Sequence, residues 1–339
     1  MTGIEYHRDL KEVQSDAQLG GVLDAAACAP FDRIAWFAGL EAHCGLRPLL
    51  VVARDEDGLA ALPLTDALPH PQALANWYTF RFRPLLAGPS PERLLTRIAR
   101  DLARKAHRVI LSGIPGEDGS AALIATAFRE AGWHVRSEPC DVNHVLALDG
   151  RDYAAYLAAR PGQLRTTLKR KSGKVETRVL THFDAVLWTA YEDIYAESWK
   201  PAEGSPAFLR AFAEAEGAAG RLRFGIAFVE GEPVAAQMWT VEGGTAFIHK
   251  LAHRESAKAT SPGSVLSAAL FRHVIDEDRV TDIDFGTGDN PYKRDWMETV
   301  RPRYRLDMLR PGHPANWPVM ARRFAGDAAH SLARAAKRR

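Results

Sequence analysis

"TDIDFGTGDNPYKRDWM", residues 281–297, begins with the alternation of a strand, turns through two glycines and ends with the signals of a short helix. Ile283 and Phe285 fall on one side of the extended part, and Asp282 and Asp284 on the other. Asp284 therefore stands near the C-terminal end of a strand, where open α/β sheets place their ligands. Gly286 and Gly288 permit a sharp turn, Asp289 or Asn290 can cap, and Pro291 suits a first helical turn. A capped helix after such a turn can be purely structural, with Lys293, Arg294 and Asp295 as a solvated face. Two glycines at a strand end, followed directly by Tyr292, Lys293 and Trp296, favour a functional turn.

The preceding stretch has a matching form. "AKATSPGSVLSAALF", residues 257–271, joins a strand to an amphipathic helix through Ser261, Pro262, Gly263 and Ser264. Glycine reaches backbone angles closed to other residues and lets a ligand come close, while the unpaired amides of a first helical turn attract anions. A helix cap built on Ser261 or Ser264 explains the same residues. Lys250 and Lys258, which bracket the loop with positive charge, make a pyrophosphate site an equal alternative.

Working outward, residues 222–251 read as three strands separated by glycine turns, and "DAVLWTAYEDIYAESWK", 184–200, as a helix. Residues 152–175 form a helical stretch broken at Pro161-Gly162, and "VRPRYRLDML", 300–309, a last strand. Earlier, "PLLVVARDEDGLAALPLT", 48–65, reads as a hairpin, with a third extended segment over 77–86, a helix over 91–106, a strand from His107, a helix over 119–132 and two extended pieces, "WHVRSE" and "NHVLALD". Both halves thus run hairpin, third strand, helix, strand, short helix, strand, and the chain divides near residue 150.

The 339 residues suffice for two ordinary domains; 46% are apolar and 25% charged, which supports a buried core and excludes long disorder. A formal charge of +2 excludes a general polyanion binder and confines basic surface to local patches. Cys28, Cys44 and Cys140 form no close pair, so neither a disulfide framework nor a metal site is expected, and a reducing cytoplasm fits. A charged N-terminus and the lack of a long apolar run predict neither a signal peptide nor a membrane span.

"IHKLAHRESAKATSPGSVL", 248–266, followed by "IDFGTGDNPYKRDW", 283–296, resembles the Gcn5-related N-acetyltransferase (GNAT) superfamily, specifically its CelD-like branch related to the Fem-type aminoacyltransferases. The resemblance covers roughly 150–300 and extends to the first half in element order only. It implies an α/β (α+β) fold of two tandem GNAT-like domains, each a mixed, mostly antiparallel sheet flanked by helices. The division is 1–150, a degenerate first domain; 151–312, the acyltransferase domain; and 313–339, a basic amphipathic helix. It implies acyl-CoA as donor and no metal, with the pyrophosphate on the loop at Ser261 to Ser264, the pantetheine along the strand at 245–251, and Lys258, Ser261, Gly263, Ser264 and Lys293 as the cofactor-binding residues. The strand at 280–285 would splay from that neighbour to admit the thioester. Tyr292 matches the superfamily's proton donor to the departing thiolate. The usual Q/R-x-x-G-x-G/A loop is replaced by T-S-P-G-S, and no coiled-coil insertion of the Fem type is evident.

Acyl transfer to an amine needs a base, an oxyanion contact and an acid for the leaving sulfur. His249 is a candidate base because its ordinary pKa lies near working pH, and a buried strand histidine is the competing reading. Asp284, acting directly or orienting a histidine, is the second candidate, and His253 the third. Strand amides can supply the oxyanion contact. Arg165, Lys169, Trp239 and Asp289 are assigned to substrate contacts. The basic run 162–178 lacks interleaved aromatics, so it reads as a solvated face or an anion contact rather than a nucleic-acid site.

Met320, Phe324, Ala328 and Leu332 recur every four residues among Arg322, Arg323, Lys337, Arg338 and Arg339. That stripe either docks on its own protein or lies on an anionic membrane. The expected function is an acyl-CoA-dependent N-acyltransferase acting on an amine of a sugar, lipid precursor or polymer unit, in the cytoplasm or peripheral to the inner membrane. The rivals are an aminoacyl-tRNA-dependent transferase and a non-catalytic protein of polysaccharide or envelope assembly.

Overall fold

The computed structural model describes residues 3–325. The first half contains β1 (Ile4–His7), α1 (Leu10–Ser15), α2 (Ala17–Ala26), α3 (Ile34–Cys44), β2 (Pro48–Arg54), β3 (Leu59–Thr65) and β4 (Leu85–Ala87), then α4 (Pro91–Leu102), β5 (Arg108–Pro115), α5 (Ser120–Glu130) and β6 (His134–Ala147). The second contains α6 (Tyr153–Ala158), α7 (Gly162–Lys171), β7 (Glu176–Leu180), α8 (Ala185–Ala196), α9 (Pro206–Ala218), β8 (Leu222–Val229), β9 (Glu232–Glu242) and β10 (Thr245–His253), then α10 (Pro262–Arg272), β11 (Asp282–Thr287), α11 (Pro291–Trp296) and β12 (Thr299–Leu309).

The structure departs from the sequence reading in several places. The extended segment expected over 77–86 shrinks to β4, and the two pieces over 133–148 are one strand, β6. Residues 10–44, for which the sequence reading offers no element, hold three helices. In α3 the residues Ile34, Trp36, Phe37 and Leu40 are all buried, so the helix lacks the polar stripe that gives a 3.6-residue signal.

The strands form two sheets. One is antiparallel in the order β1-β2-β3-β4, and the other has eight strands ordered β5-β12-β6-β11-β10-β9-β8-β7. Among the described strands β10 and β11 are the one parallel pair; every other pairing of named strands is antiparallel. The chain passes from β6 to α6 through Asp149 and Gly150, both at positive φ, near the division read from sequence. β12 then returns across it and inserts between β5 and β6.

Three cores result. Leu49, Val51, Leu62 and Leu64 of the β2–β3 hairpin pack with α4 and α5, whereas Leu50, Val52 and Ala61 point the other way. There they join α1–α3 and, from the second half, Trp188, Tyr191, Phe208 and Phe247. Strands buried on both faces read as continuous apolar runs, as 48–53 and 59–64 do on either side of the charged turn. The third core lies under α10, where Leu266, Leu270 and Phe271 meet Ile283 and Phe285 of β11. The alternation read at 281–285 therefore holds: Ile283 and Phe285 face α10, and Asp284 faces the middle core.

Candidate active site

β10 and β11 face each other over three residue pairs, Thr245–Asp282, Ala246–Ile283 and Phe247–Asp284. Beyond them β10 continues to His253 beside β9, while β11 stays with β6 as far as Thr287 opposite Asn143. The register of β10 slips between Ile248 and Lys250, so His249 is an extra, bulged residue. From Ile248 onward, β10 has no strand on its β11 side, and backbone groups there face a gap.

That edge leads to the start of α10. Ser261 takes left-handed angles, φ 53° and ψ 46°, and Pro262 has no N–H. Ser261 N–H donates to Lys258 O at 3.0 Å and Val265 N–H to Ser261 O at 3.2 Å. The amides of Gly263 and Ser264 are left without a protein acceptor among the described residues. The expectation that Gly263 supplies the unusual backbone angles is corrected: that conformation belongs to Ser261, and Gly263 has no positive φ. A Cβ at 263 would approach His253 Nδ1 to 3.4 Å. The basic end of α7 sits against this loop, because Lys171 Nζ donates to Ala259 O at 2.8 Å.

Behind the loop runs a polar chain. Trp239 Nε1 donates to Gln237 Oε1 at 2.9 Å, and Gln237 Nε2 donates to Ser267 Oγ at 2.7 Å and Gly263 O at 3.0 Å. Ser267 Oγ lies 2.9 Å from Tyr292 Oη. Burial pushes the Tyr292 phenol up to about 12, so it stays protonated at neutral pH.

The other expected site residues separate. His249 lies among Phe31, Phe80, Phe212 and Phe247, with Nε2 2.8 Å from Thr240 Oγ1. Burial lowers its pKa to about 3, which makes it a weak base at neutral pH and corrects the expectation drawn from an ordinary imidazole. Asp284 is buried, accepting from Gly286 N–H at 2.7 Å and Asn143 Nδ2 at 3.0 Å; its pKa is raised by burial, against those bonds and Arg303. It ties down the glycine turn. Lys293 Nζ is held by the carbonyls of Gly286 and Thr287, and burial lowers it to about 8.

Trp239 is 0% exposed, which rules out a substrate contact for its side chain. Asp289 is exposed and pairs with Arg294. Arg165 and Lys169 are exposed on α7, and Lys258 is exposed beside Glu255 at 3.6 Å. His253 lies beside Trp199, with ring centres 4.5 Å apart and planes tilted by 44°.

The sequence reading missed a cluster on the middle-core side of the gap. Lys250, just past the bulge, pairs with Glu203 at 2.7 Å, and Tyr78 Oη donates to the same carboxylate at 2.5 Å. Lys200 lies near both, lowered to about 8 by burial and by Lys250. Its one sequence signal is the loop "SWKPAEGSP" after α8; Tyr78 lies 125 residues from Glu203, beyond the reach of any local pattern.

A sheet whose central parallel pair parts at a bulge, with a helix starting at the end of the opening, defines an acyltransferase fold of the GNAT type. Residues 162–294 match the family described as "Acetyltransferase (GNAT) domain". No curated protein matches the sequence. Among solved structures, FemX is similar at 10% identity and TM-score 0.63, covering 93% of this chain and 99% of that one. The C-terminal domain of a putative lysylphosphatidylglycerol synthetase from Agrobacterium fabrum is similar at 12% identity and TM-score 0.59, covering 92% and 95%. A tandem GNAT protein from the clavulanic acid biosynthesis pathway is similar at 15% identity and TM-score 0.52, covering 92% and 100%. At such identities the likeness is one of fold, and it spans both halves.

The start of the C-terminal helix expected over 313–339 docks on its own protein, through Arg323 to Asp307 and Phe324 beside His134. Ala328, Leu332, Lys337, Arg338 and Arg339 lie outside the described residues. No helix among the described residues is long and apolar enough to cross a membrane.

Proposed function

We propose that the protein is an acyl-CoA-dependent N-acyltransferase of the CelD-like branch, acting on an amine of a sugar, lipid precursor or polymer unit in polysaccharide or envelope assembly, in the cytoplasm or at the inner face of the membrane. The observation that carries this reading is the parting of β10 and β11 after Phe247 and Asp284, with the edge of β10 leading to two free amides at Gly263 and Ser264. Those amides suit a diphosphate, and the basic end of α7 beside them suits a further phosphate. The backbone past the bulge faces the gap, where an amide can hold the thioester oxygen as it becomes an oxyanion. The amine forms the new C–N bond and loses a proton, the C–S bond breaks, and the sulfur leaves as a thiolate hydrogen-bonded by Tyr292 and is then protonated. The division into 1–150, 151–312 and 313–339 is retained as part of this proposal.

Thermal unfolding with a series of acyl-CoA esters and free coenzyme A tests it. At about 100 times Kd, binding stabilises the native state by about 2.7 kcal/mol. Gly263→Asp should abolish the shift by placing a carboxylate between the two amides. The fold should survive, since an acid in a first helical turn is itself favourable by roughly 0.3–1 kcal/mol. A full shift in that variant removes the loop from the reading; salt-sensitive tRNA binding with no shift by any coenzyme A ester transfers it to an aminoacyl-tRNA donor.

A further inference from the structure

α8, α9 and the loop between them enclose a cavity of about 620 Å³, within the range that holds small-molecule ligands. Its wall carries Glu203, and Lys250 connects that carboxylate to the strand edge just past the His249 bulge. The Glu203 wall of the cavity is therefore joined, through Lys250, to the strand edge along which a thioester would lie.

The lining decides what could enter. Tyr191 is 2% exposed and lines the cavity, and its hydroxyl has no hydrogen-bond partner in the protein. Such a group calls for a polar ligand atom. Glu192, Lys200 and Glu203 add three charged groups, to which an acyl tail would offer no hydrogen bond in exchange for water. Apart from Glu192, which accepts from Trp188 Nε1 at 3.0 Å, the remainder, including Tyr195 and Leu209, is aromatic or aliphatic. Polar groups at the edge of an aromatic floor match a ring with hydroxyls around its rim and an apolar face. A flexible aliphatic amine has neither feature.

We infer that this cavity is the acceptor site and that it takes an aminohexose, with the amine on Glu203, displacing Lys250, and a ring hydroxyl on Tyr191. The inference rests on the acyltransferase reading and narrows its acceptor.

Thiol release by the full chain at saturating acyl-CoA provides the test, with D-glucosamine compared against 2-aminoethanol, which keeps the amine and one hydroxyl without the ring. The expected result is saturable turnover of glucosamine, with a KM at least tenfold below that of 2-aminoethanol. Glu203→Gln should raise the glucosamine KM tenfold or more, and Tyr191→Phe severalfold. Both variants should keep the wild-type donor KM and acyl-CoA thermal shift, which also reports that they fold. If the wild type shows the acyl-CoA shift but does not saturate with glucosamine, or treats both amines alike, the acceptor assignment is overturned while the donor reading stands. An unchanged glucosamine KM in Glu203→Gln overturns it equally. Absence of any acyl-CoA shift in the wild type overturns the acyl-CoA reading, and the acceptor assignment that rests on it falls with it.

Discussion

Phe247 and Asp284 are the last residues that face each other across β10 and β11, and two residues beyond Asp284 the chain turns at Gly286 with φ 71°. Asp284 accepts the Gly286 amide at 2.7 Å, so the residue that ends the pairing also fixes the turn that widens the gap.

Gly286 tolerates no side chain, because a Cβ there would meet Phe80 ring carbons at 2.9 Å and sit on left-handed backbone. Gly286→Ala should cost about 1–3 kcal/mol from the backbone alone. Urea unfolding measures it, and a loss under half a kcal/mol would mean the turn relaxes freely.

Tyr292→Phe deletes one hydrogen bond, to Ser267, and should cost about 1 kcal/mol of stability. If Tyr292 serves the departing sulfur, kcat should fall on the order of 10²-fold, the low end for proton-transfer groups, with the donor KM unchanged. A changed KM with unchanged kcat would make the residue part of the donor's binding wall instead.

Lys200 gives a pH dependence of definite sign. Burial lowers it from 10.5 to about 8, so between those values the unfolded chain binds more protons than the folded one. The contribution of this group to stability therefore rises with pH across that window. Lys200→Met removes it, and the wild type should gain on the variant in melting temperature from pH 8 to 10. A constant difference would show that the amine is solvated in the fold.

Glu216 ties Arg33 of the first half to Arg221 of the second in one buried salt-bridge cluster. It is 2% exposed and accepts from Arg33 at 2.9 and 3.0 Å and from Arg221 at 2.8 and 3.0 Å. Burial acts to raise its pKa, but hydrogen bonds from Arg221 and Arg33 outweigh it and hold the carboxyl below its ordinary 4.5. Its stabilisation is present above that ordinary value and is lost as pH falls through the lower folded one. Glu216→Ala, which strands the guanidinium groups, should cost about 3–5 kcal/mol at neutral pH, read by denaturant unfolding. It should also flatten the acid limb of the stability curve.

The sequence by itself determined the elements around the gap. The alternation at 281–285, the glycines at 286 and 288 and the Pro-capped starts of two helices are local signals, since each depends on backbone geometry within a few residues. The same stretches carried the resemblance to the acyltransferase family. Tertiary structure alone decided which side chains meet. It buried Trp239, enclosed His249 among four phenylalanines, and gave the left-handed position in the loop to Ser261 rather than Gly263. It brought Tyr78, Glu203 and Lys250 together from the two halves and threaded β12 between β5 and β6. Burial and long-range pairing depend on the whole packed chain, so no window of sequence encodes them.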